Sequence, residues 1–179
     1  YNLAFGTYAL GMTDPIRDPN VLINWPINTP APGEVMLKRP LFHNLMKNNE
    51  YFAQYHAYFD QLLTEYFENG RYEEVVRQTQ ALIAPYVEAD PTAFCSYGDH
   101  LLAVGTLLEV CRLRAESIRG QLEGVCPATL AQQAENPGAG VDASHVDLRN
   151  LGDFQDLENA AVYDRVRIHR AGNMTCPKL

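Results

Sequence analysis

The run from Ser96 to Gly124, SYGDHLLAVGTLLEVCRLRAESIRGQLEG, constrains this chain more than any other stretch. Leu101, Val104, Leu108, Cys111, Ala115, Ile118 and Leu122 recur at steps of three and four, which places them on one face of a long helix. Ser96 followed three residues later by Asp99 resembles a capping box, although the box proper carries Glu or Gln there. Asp99 near the start and Arg119 near the end complement the helix dipole. Gly120 is an awkward interior residue, costing about 1 kcal/mol relative to Ala. Gly124, with Pro127 beyond it, stops the helix. Further helical segments come before this one and need a surface to pack on, so it is expected to act as the spine.

A length of 179 residues suggests one domain, or one domain with a tail, and 46% hydrophobic content supports a packed core. The net charge of −8 argues against nucleic acid as a partner, because phosphate contacts need a surplus of Lys and Arg. No stretch approaches about 18 consecutive apolar residues, so no membrane span is expected. The first residues lack the basic start followed by an apolar core that marks a signal peptide, so none is expected, and Tyr1 reads as the middle of a longer sequence. The four cysteines, Cys95, Cys111, Cys126 and Cys176, form no C-x-x-C pair, which argues against zinc. They allow two disulfides with three pairings. Cys111 on the apolar face reads as a buried small hydrophobe, whereas Cys126 and Cys176, in loop-like surroundings, are candidates for a bond. Asn173-Met174-Thr175 matches the N-glycosylation acceptor pattern, one that chance also produces.

Taken in order, Tyr1 to Met12 is apolar and aromatic and reads as the end of a strand turning at Gly6. Pro15, Pro19, Pro26, Pro30 and Pro32 make Asp14 to Gly33 an extended loop, pinned by Trp25 with Val21, Ile23 and Ile27. A short helix starts at Pro40 and ends near Asn48 or Asn49, either of which can cap the next helix, Glu50 to Asn69. In that second helix Phe52, Tyr55, Phe59, Leu62, Leu63 and Tyr66 form one core-facing stripe. Arg71 to Ala89 is a third helix with Val75, Val76, Thr79, Leu82, Ile83, Tyr86 and Val87 facing inward, and Pro85 inside it predicts a kink or a break near Leu82. Beyond Pro127, Thr129 to Asn136 suits a short helix and Pro137 to Gly140 a linker-like break. Asp142 to Ala160 is acidic and weakly patterned, and Tyr163 to His169 alternates as a half-buried strand does.

Self-contained catalytic motifs are missing: the chain has no G-x-G-x-x-G, P-loop, H-E-x-x-H or G-x-S-x-G. The five histidines are scattered, and the pairs Glu73/Glu74 and Asp153/Asp156 read as solvated faces. Arg112, Arg114 and Arg119 are more pointed. Arg112 and Arg119, seven apart, share one side of the spine beside its apolar stripe. They read either as flank salt bridges with Glu109, Glu116 or Glu123, or as an anion or domain-docking site.

Tyr1-Asn2-Leu3-Ala4-Phe5-Gly6 resembles the end of the D-x-[DN]-x-x-[FW]-G motif of the CotH (spore coat protein H) kinase-like family. Similar stretches follow at Arg39-Pro40-Leu41, Tyr66-Phe67 before Gly70, Ala81 to Val87 and Asp90 to Phe94. The match peaks at Cys111 to Gly124 and covers residues 1–130 or so. The resemblance implies transfer of the ATP γ-phosphate to protein Ser/Thr, with Mg²⁺ or Mn²⁺, on an atypical kinase fold that is secreted, at the cell surface or in the spore coat. In that motif the leading Asp ligates metal, as the D-F-G Asp does in ordinary kinases. Its place falls just before Tyr1, while Asn2, Phe5 and Gly6 match the rest, which makes Asn2 a candidate metal residue. The family's glycine-rich region, phosphate-binding Lys and catalytic acid lie upstream as well.

The expectation is therefore a mainly α chain, the helical C-lobe of such a kinase, with a short N-terminal strand and a candidate C-terminal strand. Residues 1–38 would be the strand end and proline-rich loop, 39–126 the helical lobe and 127–179 an acidic extension. Its implied partners are the nucleotide-binding portion of the same protein and a protein substrate. This stretch alone would be catalytically incomplete and hold no nucleotide. The alternative is a non-catalytic surface, spore-coat or adhesion module on the same scaffold.

Overall fold

The computed structural model describes residues 18–30, 40–93 and 95–151. Among them every regular element is helical: α1 Pro19–Ile23, α2 Pro40–Met46, α3 Asn49–Leu62, a π-helical turn Leu63–Phe67, α4 Arg71–Ala89, α5 Tyr97–Leu122, α6 Leu130–Glu135 and a final 3-10 turn Leu148–Leu151. The mainly α class stands. The strands expected at Tyr1–Met12 and Tyr163–His169 lie outside the described residues.

α5 is the spine, and its start follows the local rules. The Ser96 side chain accepts from the Asp99 amide while Asp99 accepts from the Ser96 amide, completing the capping box. Its end is marked by Gly124 at φ +74°, after which the Val125 and Cys126 amides turn back to the Gly120 carbonyl. Packing turns the buried face partly off the expected stripe, which keeps Ile118 buried and Val104, Leu108, Cys111, Ala115 and Leu122 half-buried. Val110, Leu113, Ser117, Ile118 and Gln121 are buried, while Leu101 stays exposed. The reason is what arrives from far along the chain. Ile23, Ala143, Val146 and Leu148 close one cluster on Val110 and Leu113, and Ile27, Leu63 and Ala128 close a second on Ile118.

The proline-rich stretch contains a helix that extended-loop reasoning missed. Asp18 caps α1 by accepting from the Asn20 amide, and Pro19 takes the first helical position, where its missing N–H costs nothing. Ile23 and Ile27 are its buried anchors, whereas Val21 is exposed and Trp25 only half-buried, its indole N–H donating to the Pro30 carbonyl.

Asn48 caps α3. The π-helical turn then adds a residue to the ladder, so the inward set passes from Phe59 to Leu63 and Phe67, and Leu62 turns outward. Gly70 at φ +80° turns the chain into α4. α4 corrects the sequence reading twice. It runs unbroken through Pro85, and the Ala81 carbonyl that loses its donor lies on an exposed residue that water can reach. It also buries no residue: Tyr72, Val76, Gln80, Ala84 and Val87 are half-buried, while Val75, Leu82, Ile83 and Tyr86 are exposed. Val76 and Val87 of the expected stripe do lie in the seam, while Val75, Thr79, Leu82, Ile83 and Tyr86 of it face outward.

Beyond α5 the chain stays with the body. Thr129 caps α6 in a box with Gln132, and Pro137 to Gly140 is no free linker. A Cβ on Gly140 would fall 2.5 Å from the Asn24 side chain, so the turn is packed against α1. Ala143, Val146 and Leu148 then enter the first core cluster.

Candidate functional site

The best-built polar site is the seam that fastens residues 18–30 to α5. Asn24 is its hub. Its amide nitrogen donates to the Val141 carbonyl (2.9 Å) and the Asn20 carbonyl (3.0 Å); its oxygen accepts from the Val141 amide (2.9 Å) and the Ser117 hydroxyl (2.9 Å). Gln121, 3% exposed, accepts from the Ile27 amide at 2.9 Å and donates to Ser117 Oγ at 3.1 Å. Tyr55 of α3 donates to the Ile27 carbonyl at 2.7 Å, and the Asn28 amide donates to the Ala128 carbonyl at 2.9 Å. The backbone after α1 has no ladder of its own, so these side chains supply its partners.

Arg114 enters the same seam and donates to the Ile23 carbonyl at 2.8 Å. Burial pushes its pKa down to about 10, with the Tyr55 hydroxyl opposing that shift. The guanidinium therefore acts as a donor that locks the end of α1. Burial likewise raises the Tyr55 pKa, keeping the phenol neutral as a donor.

Arg112 and Arg119 do come to one place, a cleft of about 340 Å³ between the π-helical turn, α4 and α5. Both are already engaged. Arg112 pairs with Glu109 (2.8 Å) and Glu116 (3.2 Å) on its own helix, the partners foreseen for it. Arg119 reaches across instead, with Nε 2.8 Å from Glu68 and Nη1 on Asp60, and so ties α3 and the π-helical turn to α5. These hydrogen bonds raise the Arg119 pKa. Glu68, Glu73 and Glu116 outnumber the two arginines around the cleft, so its field does not favour an anion.

Cys126 lies against Gly120, where a Cβ would fall 2.6 Å from its Sγ, which explains the interior glycine of α5. It is a free thiol alongside Cys95 and Cys111, and Cys176 lies outside the described residues. So do Asn2, Phe5 and Gly6. Cys111, expected to be buried, is half-buried between α5 and α4: its thiol meets the Tyr72 hydroxyl of α4, and burial raises the pKa of both. Among the described residues no cluster of three or more His, Cys, Asp or Glu is arranged to hold a metal ion, and no helix is long and apolar enough to cross a membrane.

Sequence reasoning did not single out Asn24, Ser117 or Gln121. The available signal was Ser117 and Gln121 one turn apart beside the apolar stripe, a polar pair where a helix of this kind buries something. Comparison with curated proteins finds no match, and neither does comparison with solved structures. One family model, described as CotH kinase protein, matches residues 2–118, from the opening hexapeptide to within the last turns of α5. That match covers well over half of the chain, and the chain belongs to the CotH kinase family.

Proposed function

We propose that this chain is the helical C-terminal lobe of a CotH-type protein kinase that transfers the ATP γ-phosphate to protein Ser/Thr. The observation that carries the proposal is the family match over residues 2–118, and the resemblance of Asn2, Phe5 and Gly6 to the end of the metal-binding motif supports it. Within it α5 is the fixed beam. The Asn24, Arg114 and Gln121 contacts hold residues 18–30 on that beam, and so anchor the chain that follows the motif. Phosphoryl transfer depends on positioning, so an anchored segment next to the motif is what the chemistry asks of a supporting lobe.

ATP with Mg²⁺ or Mn²⁺ would supply the phosphoryl group and the charge neutralisation. Asn2, outside the described residues, would orient the metal. The remaining nucleotide-binding groups would come from sequence preceding Tyr1, and the protein would work outside the cell or in a spore coat. The test is phosphotransfer from labelled ATP to a Ser/Thr-bearing protein, with Mn²⁺, by this chain joined to its upstream sequence. Labelling of Ser/Thr, weakened by Asn2→Ala, is expected. No labelling by the joined protein would refute the kinase reading and leave the non-catalytic surface module in its place.

A further inference from the structure

α1, α6 and the turn at residues 136–142 border a cavity of about 540 Å³. That volume lies within the roughly 300–1,000 Å³ that small-molecule sites occupy. Trp25, Pro127 and Leu130 give it an apolar wall. The indole N–H of Trp25 is tied to the Pro30 carbonyl at 2.8 Å, which fixes the ring in place. Asn24 also lines the cavity, but its amide nitrogen and its oxygen are both spent within the protein.

The charge in the cavity is of one sign. Among the described residues that line it, Asp18 and Asp142 are the charged ones, and none is basic. The two belong to one end: the Ala143 amide donates to Asn20 Oδ1 at 2.8 Å, which sets Asp142 beside the start of α1, where Asp18 is the cap. The Ser144 amide, at 3.0 Å, and then its hydroxyl hold the Asp142 carboxyl below its ordinary range, so it stays ionised. At the Trp25 end Gln133 spends its amide nitrogen on the Asn24 and Pro127 carbonyls, and its Oε1 has no partner among the described residues. From Asp18 to Trp25 is roughly 10 Å at 1.5 Å per residue, the reach of an arginine-like chain. Carboxylates at one end, an apolar wall and an amide oxygen at the other suit a cationic head on an apolar stem that ends in a second N–H donor. Among the described residues no cluster of three or more His, Cys, Asp or Glu could hold a metal ion, which favours an organic cation.

We propose that this cavity binds a guanidinium or ammonium group on an apolar stem, the head held by Asp18 and Asp142 and the stem laid along Trp25. The proposal stands apart from the kinase reading, because it needs neither nucleotide nor upstream sequence. Agmatine, a guanidinium and an amine joined by four methylenes, is the probe, and Trp25, the only tryptophan, is the reporter. Titrated into the full chain, agmatine should change the Trp25 fluorescence saturably, while uncharged butylurea should not. Alkylation of Cys126, which also lines the cavity, should slow in saturating agmatine when read by peptide mass spectrometry. Asp142→Asn keeps an oxygen for Ser144, and Asp18→Asn keeps a helix cap, so both variants should fold and each should bind agmatine about tenfold more weakly. A blocked tripeptide with a central arginine separates the sources. Tighter binding than agmatine assigns the cavity to an arginine of a protein partner, and weaker binding assigns it to a free amine. No saturable response in either readout, an equal response to butylurea, or agmatine binding that both variants leave unchanged would overturn the proposal.

Discussion

Replacing Gln121 by Leu tests the seam at its most buried point. The change keeps roughly the same volume and removes the acceptor of the Ile27 amide, a bond of 2.9 Å between groups that are 2% and 3% exposed. A buried amide left without a partner costs about 1–3 kcal/mol. The donor to Ser117 Oγ is lost too, but Ser117 still donates to Asn24, so that loss adds little. The extra apolar burial of Leu offsets part of the cost, leaving a net destabilisation of about 2 kcal/mol. For a chain of this size that corresponds to a fall in Tm of about 4–8 °C. Urea unfolding followed by two probes separates local from global effects. Trp25 is the only tryptophan and its carbonyl touches Gln121, so its fluorescence reports the seam, while circular dichroism reports the helices. The Trp25 transition should move to lower urea at least as far as the helical one. An unchanged midpoint for both probes, or a more stable protein, would refute the claim that Gln121 holds residues 24–30 in place.

Other consequences follow from single contacts. Gly120→Ala should destabilise despite gaining about 1 kcal/mol of helix propensity, because the new methyl meets Cys126 Sγ; in a Cys126→Ala background the same change should become neutral or stabilising by thermal melt. Hydrogen bonds from Arg112 and then His145 hold the Glu109 pKa at about 2 against an ordinary value of 4.5. A depressed carboxylate contributes stability that is present above its unfolded pKa and lost as pH falls through the folded one. Stability should therefore drop between pH 4.5 and about pH 2, and Glu109→Gln should flatten part of that slope in urea titrations. Arg119→Met should cost under about 1 kcal/mol, because its partners are half-exposed and screened. A double-mutant cycle with Glu68→Gln in low and high salt should show the coupling shrink as salt rises.

What could be read from the sequence was what neighbouring residues decide among themselves. The Ser96–Asp99 box, the Gly124 stop, the Pro40 start and the Asn48 cap are all settled within a turn or two of backbone, and all were legible. Which side of a helix is buried is settled elsewhere. α5 turned Val110 and Leu113 inward because Ile23 and Val146 meet them from distant parts of the chain, and periodicity carries no information about that. α4 shows the same limit: of its expected stripe Val76 and Val87 lie in the seam beside Ala84, yet Val75, Leu82 and Tyr86 are exposed. At the seam, Asn24 reads as a loop amide, and only tertiary contact with Ser117 and Val141 makes it a hub. Pro19 and Pro85 read as helix breakers, but one occupies a first helical turn and the other a solvent-facing stretch where the lost hydrogen bond is tolerated. The family resemblance was carried by short motifs in series, from the opening hexapeptide to its peak at Cys111 to Gly124.

The central claim is that this chain supports a phosphotransfer site whose nucleotide grip lies upstream of Tyr1. Calorimetric titration of ATP with Mn²⁺ tests it most directly, comparing this chain with the same chain extended by its upstream sequence. One binding site in the extended protein and none in this chain is the predicted result. Stoichiometric nucleotide binding by residues 1–179 on their own would contradict the account.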